Sequence, residues 1–150
     1  MKNIFEKQVV DDIIQRINSL TTSSIPEWGT MNVAQMLAHC NVTYELVYDN
    51  KHPKPSFFMK LLLKILVKDY VTNDKPFKKN SGTAPVFKVS TQKDFELEKE
   101  RLINYILQTQ KNGASYFEGK ESHSFGNLTA VQWNNMFYKH LDHHLKQFGV

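Results

Sequence analysis

The sequence predicts an all-α fold, a four-helix bundle, built as a single domain over residues 1–150. Four long segments carry apolar residues at helical spacing, which is the main sign of amphipathic helices. The one segment that could form a strand, residues 86–89, is too short to build a sheet. Hydrophobic residues make up 41% of the chain and charged residues 23%, as expected for a globular domain with a real core.

The first two long helices are predicted over residues 4–20 and 32–49. In the first, apolar residues recur every three or four positions: Ile4, Phe5, Val9, Val10, Ile13, Ile14, Ile17 and Leu20. This helix ends before Pro26, which follows a polar cluster. The second begins at Asn32, which together with Gln35 has the spacing of a capping box.

The other two long helices are predicted over residues 91–111 and 130–148. Gly113 follows the third helix and is a typical C-terminal stop. Thr129 and Gln132 have the spacing of a second capping box, which indicates that the fourth helix begins there.

A basic insert, residues 51–88, separates the second and third long helices. It holds nine lysines and two aspartates, a net charge of +7, whereas the whole chain carries +4. A shorter helix is predicted over residues 56–70, with an irregular loop after it. Lys60, Lys64 and Lys68 form a basic stripe on this otherwise apolar helix. Its wide apolar face favours burial or a dimer contact over binding to a membrane surface.

Composition excludes several classes of function. The chain has two arginines, too few for the bidentate contacts of a nucleic-acid reader, so no nucleic-acid partner is expected. No apolar run approaches 18 residues and no secretory leader is visible. Cys40 is the single cysteine, which excludes an intramolecular disulfide and favours a reducing, cytoplasmic location.

Three of the six histidines lie in the fourth helix, and two of them face the same way. His140 and His144 are four residues apart and fall at the edge of the apolar stripe, whereas His143 falls near the solvent side. His39 lies on the second helix, which is apolar on most sides. These positions predict a three-histidine site for a divalent metal, zinc or nickel, with room for a water or substrate. The alternative is that these histidines are hydrogen-bonded core residues.

The chain resembles the DinB/YfiT-like superfamily of metal-dependent enzymes, specifically an uncharacterised bacterial branch. The resemblance rests on Trp28, on a segment of the second helix, and on the tail. The matching segments are Val33-x-Gln35-Met36-Leu37-x-His39, Phe125-Gly126-x-Leu128-Thr129-x-x-x-Trp133 and Lys139-His140-Leu141-Asp142-His143-His144-Leu145-x-Gln147-Phe148-Gly149. It implies an up-down-down-up bundle with a divalent metal on His39, His140 and His144.

The resemblance also implies a function. Members of that superfamily include thiol S-transferases, so a small-molecule substrate such as a low-molecular-weight thiol is expected, together with a homodimer. Hydrolysis by a metal-activated water is the other reaction considered. No catalytic residue besides the metal ligands is identified by the sequence. The alternatives are a bundle with a structural or inactive metal site, or one that acts through dimer or membrane-surface contacts of residues 56–70.

Overall fold

The protein is all-α, as the sequence predicts, in a computed structural model that describes residues 1–49 and 51–150. Its helices are α1 (Lys7–Ser19), α2 (Val33–Tyr48), α3 (Phe57–Leu66), α4 (Lys68–Thr72), α5 (Phe95–Phe117) and α6 (Ala130–Gln147). Two short antiparallel strands, β1 (Glu121–Ser122) and β2 (Gly126–Asn127), form a hairpin before α6. Residues 86–89, the segment considered as a strand, instead overlap a 3₁₀ turn, Pro85–Phe87.

The four long helices share one hydrophobic core. Helix α2 packs against α5 and α6, and α1 packs against the same two helices. Stacked aromatic rings join α2 to α6: Tyr44 on α2 lies 5.1 Å from Phe137 on α6, and Phe137 in turn lies 5.5 Å from Trp133 on the same helix, measured between ring centroids. These contacts establish the all-α core. The up-down-down-up connection of a four-helix bundle stays a prediction.

Both predicted capping boxes are confirmed, and they fix where the two site-bearing helices begin. The Asn32 side chain accepts from the Gln35 backbone N–H at 2.9 Å, and the Gln35 side chain accepts from the Asn32 N–H at 3.1 Å. Thr129 and Gln132 make the same reciprocal pair at 3.2 and 3.1 Å. Each box satisfies two backbone donors that a helix start otherwise leaves free.

The predicted stop at Gly113 interrupts α5, but it does not end the element. Gly113 leaves the helical conformation with a φ of 70° and a ψ of 172°, and the helix then resumes and continues to Phe117. Phe117 is completely buried and lies 5.4 Å from both Trp133 and Phe137, between ring centroids. Burial of this ring holds the last turn against the core, so Gly113 produces a kink and not an end.

The predicted helix over residues 56–70 is two helices, α3 and α4, which meet at Val67. Burial within the fold, one of the two alternatives predicted for its apolar face, is wrong, because none of the ten residues of α3, all of them described by the structure, is buried. A contact with a second copy of the chain stays a prediction. Within the described ranges, no helix has both the length and the apolar character needed to cross a membrane.

Helix α4 is attached to α6 by a buried lysine. The Lys139 side chain is 2% exposed, and its ammonium group donates to the carbonyls of Tyr70 and Asn73 at 2.8 and 2.9 Å. A third bond, at 3.0 Å, goes to the Asn73 side chain. Lys139 precedes His140, so this contact fixes the insert beside the predicted metal site.

Candidate metal centre

The structure brings the three predicted histidines together. His39 comes from the middle of α2, and His140 and His144 lie one turn apart near the end of α6. One ring nitrogen from each lies within 4.8 Å of the other two. The Nε2 atoms of His39 and His140 are 2.9 Å apart. Helices distant in sequence therefore supply a cluster of imidazole nitrogens that is able to hold a metal ion.

Hydrogen bonds fix the ring orientation of two of these histidines. The Nδ1 atom of His39 lies 2.8 Å from the backbone carbonyl of Phe87, which can only accept, so Nδ1 carries the hydrogen. The Gln147 amide nitrogen donates to the Trp28 carbonyl at 2.6 Å, which leaves its oxygen, 2.8 Å from His144 Nδ1, to accept. When these rings are neutral, their Nε2 atoms consequently carry no hydrogen and each presents a lone pair.

The third ring, His140, is oriented by a hydroxyl group. Its Nδ1 atom lies 2.9 Å from Thr43 Oγ1, which can either donate or accept. Since His39 Nε2 is bare, His140 Nε2 either donates a hydrogen to it or faces it across a cation. Tetrahedral zinc holds its nitrogen ligands about 3.3 Å apart, so the 2.9 Å gap would open by a few tenths of an ångström.

The environment keeps all three imidazoles neutral, which is the form that binds metal. His39 and His144 are 4% and 7% exposed. The pKa of His144 is lowered to about 3, mainly by burial and to a smaller extent by the nearby His39. Burial also lowers the pKa of His39, and it lowers that of His140 well below its usual range, with His144 adding to the effect.

An aromatic residue of the insert covers part of the cluster. The Phe87 ring lies 5.4 Å from the His39 ring and 5.8 Å from the His140 ring, between centroids. The same residue thus orients His39 through its carbonyl and shields two of the rings through its side chain. A dry surrounding of this kind strengthens the electrostatic interactions of any bound cation.

His143 lies outside the cluster, but it does not point to open solvent as predicted. Its ring lies 5.0 Å from His144 and 5.8 Å from both Trp28 and Phe77, between centroids. With those two rings it lines a cavity of about 130 Å³. The prediction that His143 does not share the metal site with its neighbours agrees with this position.

The three groups that orient the histidines were not predicted from the sequence. Thr43 is one turn after His39, and Gln147 is three residues after His144, so helical spacing places each of them close to the site. The Phe87 carbonyl has no such signal, because it comes from an irregular segment 48 residues beyond His39.

The fold and the site define an all-α protein with a buried cluster of three histidines from two helices. A family model described as "Protein of unknown function (DUF1569)" matches residues 4–149, and the chain belongs to this family. No curated protein has a significant match to the chain, and no solved structure has one.

This family corrects the resemblance drawn from the sequence. The assignment to the DinB/YfiT-like superfamily is wrong, because the model that matches nearly the whole chain is that of DUF1569. The low-molecular-weight thiol, which rested on the resemblance alone, loses that support, and the homodimer keeps only the support of the wide apolar face of residues 56–70. The positions of His39, His140 and His144 keep theirs, because they follow from helical spacing and from the observed cluster.

Proposed function

We propose that this protein is a divalent-metal-dependent enzyme whose metal is bound by Nε2 of His39, His140 and His144. The observation that carries the proposal is the engagement of every Nδ1 atom by an orienting partner within a cluster of three rings, which leaves each Nε2 atom available to a metal. Hydrogen bonds to the outer nitrogen are the usual companions of metal-bound histidines, since they fix the tautomer and the ring orientation.

The alternative, a cluster of hydrogen-bonded core histidines, accounts less well for this arrangement. Of the three Nε2 atoms, only that of His140 is free to carry a hydrogen. The metal-free cluster therefore places two lone pairs, on His39 and His144, around at most one N–H group. That N–H group can satisfy at most one of the two lone pairs, whereas a cation interacts with all three Nε2 atoms at once.

Zinc or nickel suits this donor set best, because neutral imidazole is a borderline ligand that both metals accept. Three protein ligands leave at least one coordination position open, as in catalytic zinc sites. A metal bound there would supply a Lewis acid able to activate a water or to hold a substrate thiolate or oxygen. The histidines hold and orient the metal, and Phe87 excludes water from one side. The proposed substrate is a small molecule.

Two finer features belong to this proposal. The helices α1, α2, α5 and α6 would be connected as an up-down-down-up bundle, with the basic insert crossing between α2 and α5. A cytoplasmic location fits the free and buried thiol of Cys40, because a reducing compartment keeps such thiols unpaired.

Metal analysis of the purified protein tests the ligand set. After loading with zinc or nickel and dialysis, we expect about one metal per chain by mass spectrometry, the ratio that one site requires. His140→Ala and His144→Ala should each lose it. His143→Ala is the matched control, since it removes a neighbouring imidazole outside the cluster, and it should keep the metal. Retention of stoichiometric metal by both ligand variants would contradict the proposal.

Cobalt substitution tests whether the site is open. Cobalt(II) in the wild-type protein should give visible absorption bands typical of low coordination number, and these bands should shift when azide or a small thiol is added. Bands that no added ligand changes would indicate a closed, structural site instead of a catalytic one.

A further inference from the structure

We propose that the outward surface of α3 is a docking surface for anionic membranes, independent of the metal centre. This surface, called here the α3 face, consists of Phe57, Phe58, Leu61, Leu62, Ile65 and Leu66. At about 100° per residue these six positions cover one half of the helix, and all of them are apolar.

The α3 face is exposed to an unusual degree for large apolar side chains. Phe57 is 86% exposed, Phe58 68%, Ile65 67% and Leu66 72%. Single exposed apolar residues are common on proteins, but contiguous groups of this kind mark sites of interaction. The exposure therefore indicates a surface that another apolar phase covers.

The opposite side of α3 is attached to the protein, which holds the α3 face outward. Lys60 donates to Glu121 of strand β1 at 2.8 Å. Lys68, at the start of α4, donates to the carbonyl of Asn127 on strand β2 at 3.3 Å. Leu63 and Val67 on this side are partly buried. The hairpin thus contacts the side of α3 that lies opposite the α3 face.

The charges around the α3 face match an anionic lipid surface. Helix α3 contains no acidic residue, Lys64 lies at the edge of its apolar half, and the exposed Lys54 lies three residues before the helix begins. The whole insert, residues 51–88, carries a net charge of +7. Apolar side chains bordered by lysines are the pattern of helices that lie in the membrane interface, where anionic headgroups attract the lysines.

A second copy of the chain fits the same surface less well. A two-fold dimer would place α3 against α3 and bring the lysines of both inserts together, which is unfavourable.

The α3 helix is about 15 Å long, half of the hydrocarbon thickness, so it would lie along the membrane interface instead of crossing the membrane.

Vesicle flotation tests this proposal with the full-length protein. We expect binding to vesicles of phosphatidylcholine with phosphatidylserine at low ionic strength, and release at high salt. Phe58→Ser with Ile65→Ser should abolish the binding. Lys54→Gln with Lys64→Gln should weaken it roughly tenfold or more. Ile25→Ser is the matched control, because it removes an exposed apolar side chain between α1 and α2 and should change nothing.

Three results would overturn the proposal. The first is no binding to anionic vesicles at low salt. The second is equal binding to pure phosphatidylcholine vesicles that the lysine substitutions do not alter. The third is a lipid-free dimer, measured by light scattering, that Phe58→Ser with Ile65→Ser converts to monomer. Thermal melting should be unchanged in both double variants, since the substituted side chains are exposed, and the two variants test the surface independently.

Discussion

At the scale of single residues, the orientation of His140 depends on the hydroxyl group of Thr43. That hydroxyl is 2.9 Å from His140 Nδ1, and Thr43 is 5% exposed, so water has little access to replace it. The His39 and His144 rings are oriented by acceptors that are themselves part of the backbone or bonded to it. Thr43 is therefore the orienting group that a side-chain substitution removes most cleanly.

Replacing Thr43 with Val keeps the shape of the side chain and removes the hydroxyl. We expect metal affinity to fall about 10- to 100-fold, the usual effect of losing a partner of a ligating histidine. Competition with a chelator of known affinity measures the change. Thr43→Ser is the control, because it restores the hydroxyl and should bind nearly as the wild type does. Unchanged affinity in Thr43→Val would mean that this hydrogen bond does not orient His140.

The buried histidines also predict how the metal-free protein responds to acid. Burial lowers the pKa of His39, His140 and His144, with His144 at about 3, whereas unfolded histidine titrates near 6.5. Between those pKa values the unfolded chain binds more protons than the folded chain. The contribution of these histidines to the free energy of unfolding is therefore fully present above about pH 6.5 and is lost as the pH falls.

The expected loss is about 1.4 kcal/mol per pH unit for each histidine that stays neutral. Urea denaturation in the presence of chelator, at about pH 7.5 and about pH 5.5, measures it. His144→Ala should show a weaker dependence than the wild type, because it removes one of the groups. A free energy of unfolding that is flat over this interval would contradict neutral buried histidines.

Sequence reasoning identified the histidines of the site but not their partners, and the reason is geometric. Helical spacing states which residues share a face, so it selected His140 and His144 and excluded His143. It does not state which loop covers that face. The contribution of Phe87 depends on the path of the insert, which apolar periodicity does not describe.

At the scale of helices, the two capping boxes determine where α2 and α6 begin. Thr129 lies at the N-terminal end of α6, and its site residues lie near the other end. A substitution at this cap should therefore change the stability of the protein without changing metal binding.

Replacing Thr129 with Ala should lower the free energy of unfolding by about 1 kcal/mol, because the Gln132 N–H loses its acceptor. Thr129→Ser keeps the hydroxyl and should lie within a few tenths of a kcal/mol of the wild type. Urea denaturation compares the three proteins. Metal stoichiometry should be the same in all of them, and a loss of metal in Thr129→Ala alone would indicate that α6 is more weakly held than its packing suggests.

The helices that the sequence predicted well are those with local signals at their ends. Both capping boxes act within four residues, so they were readable from sequence. The end of α5 was not, because burial of Phe117 in the core outweighs the stop at Gly113. The exposure of α3 was not predicted either, since a wide apolar face indicates that another apolar surface packs on it but does not identify that surface.

At the scale of the whole molecule, the candidate metal centre joins two distant parts of the chain. His39 and His140 are separated by 101 residues, and their helices also contact each other through the core. A metal bound there favours the folded state, because the unfolded chain rarely brings these ligands together.

We therefore expect zinc or nickel to raise the free energy of unfolding, by about 2.7 kcal/mol when free metal is 100 times its dissociation constant. Urea denaturation with and without metal measures this difference. His144→Ala should show little stabilisation at the same concentration, whereas His143→Ala should behave as the wild type. Equal stabilisation of all three proteins would indicate binding elsewhere.

The bond from His39 to the Phe87 carbonyl has a consequence for how this site can change during evolution. The acceptor belongs to the main chain, so every residue type at position 87 supplies the same oxygen. Positions 43 and 147 lack this freedom, because their oxygens belong to side chains. Among relatives that retain the three histidines, selection for ring orientation should therefore keep a hydroxyl residue at position 43 and a side-chain amide at position 147, whereas it constrains the oxygen at position 87 only through the path of the loop.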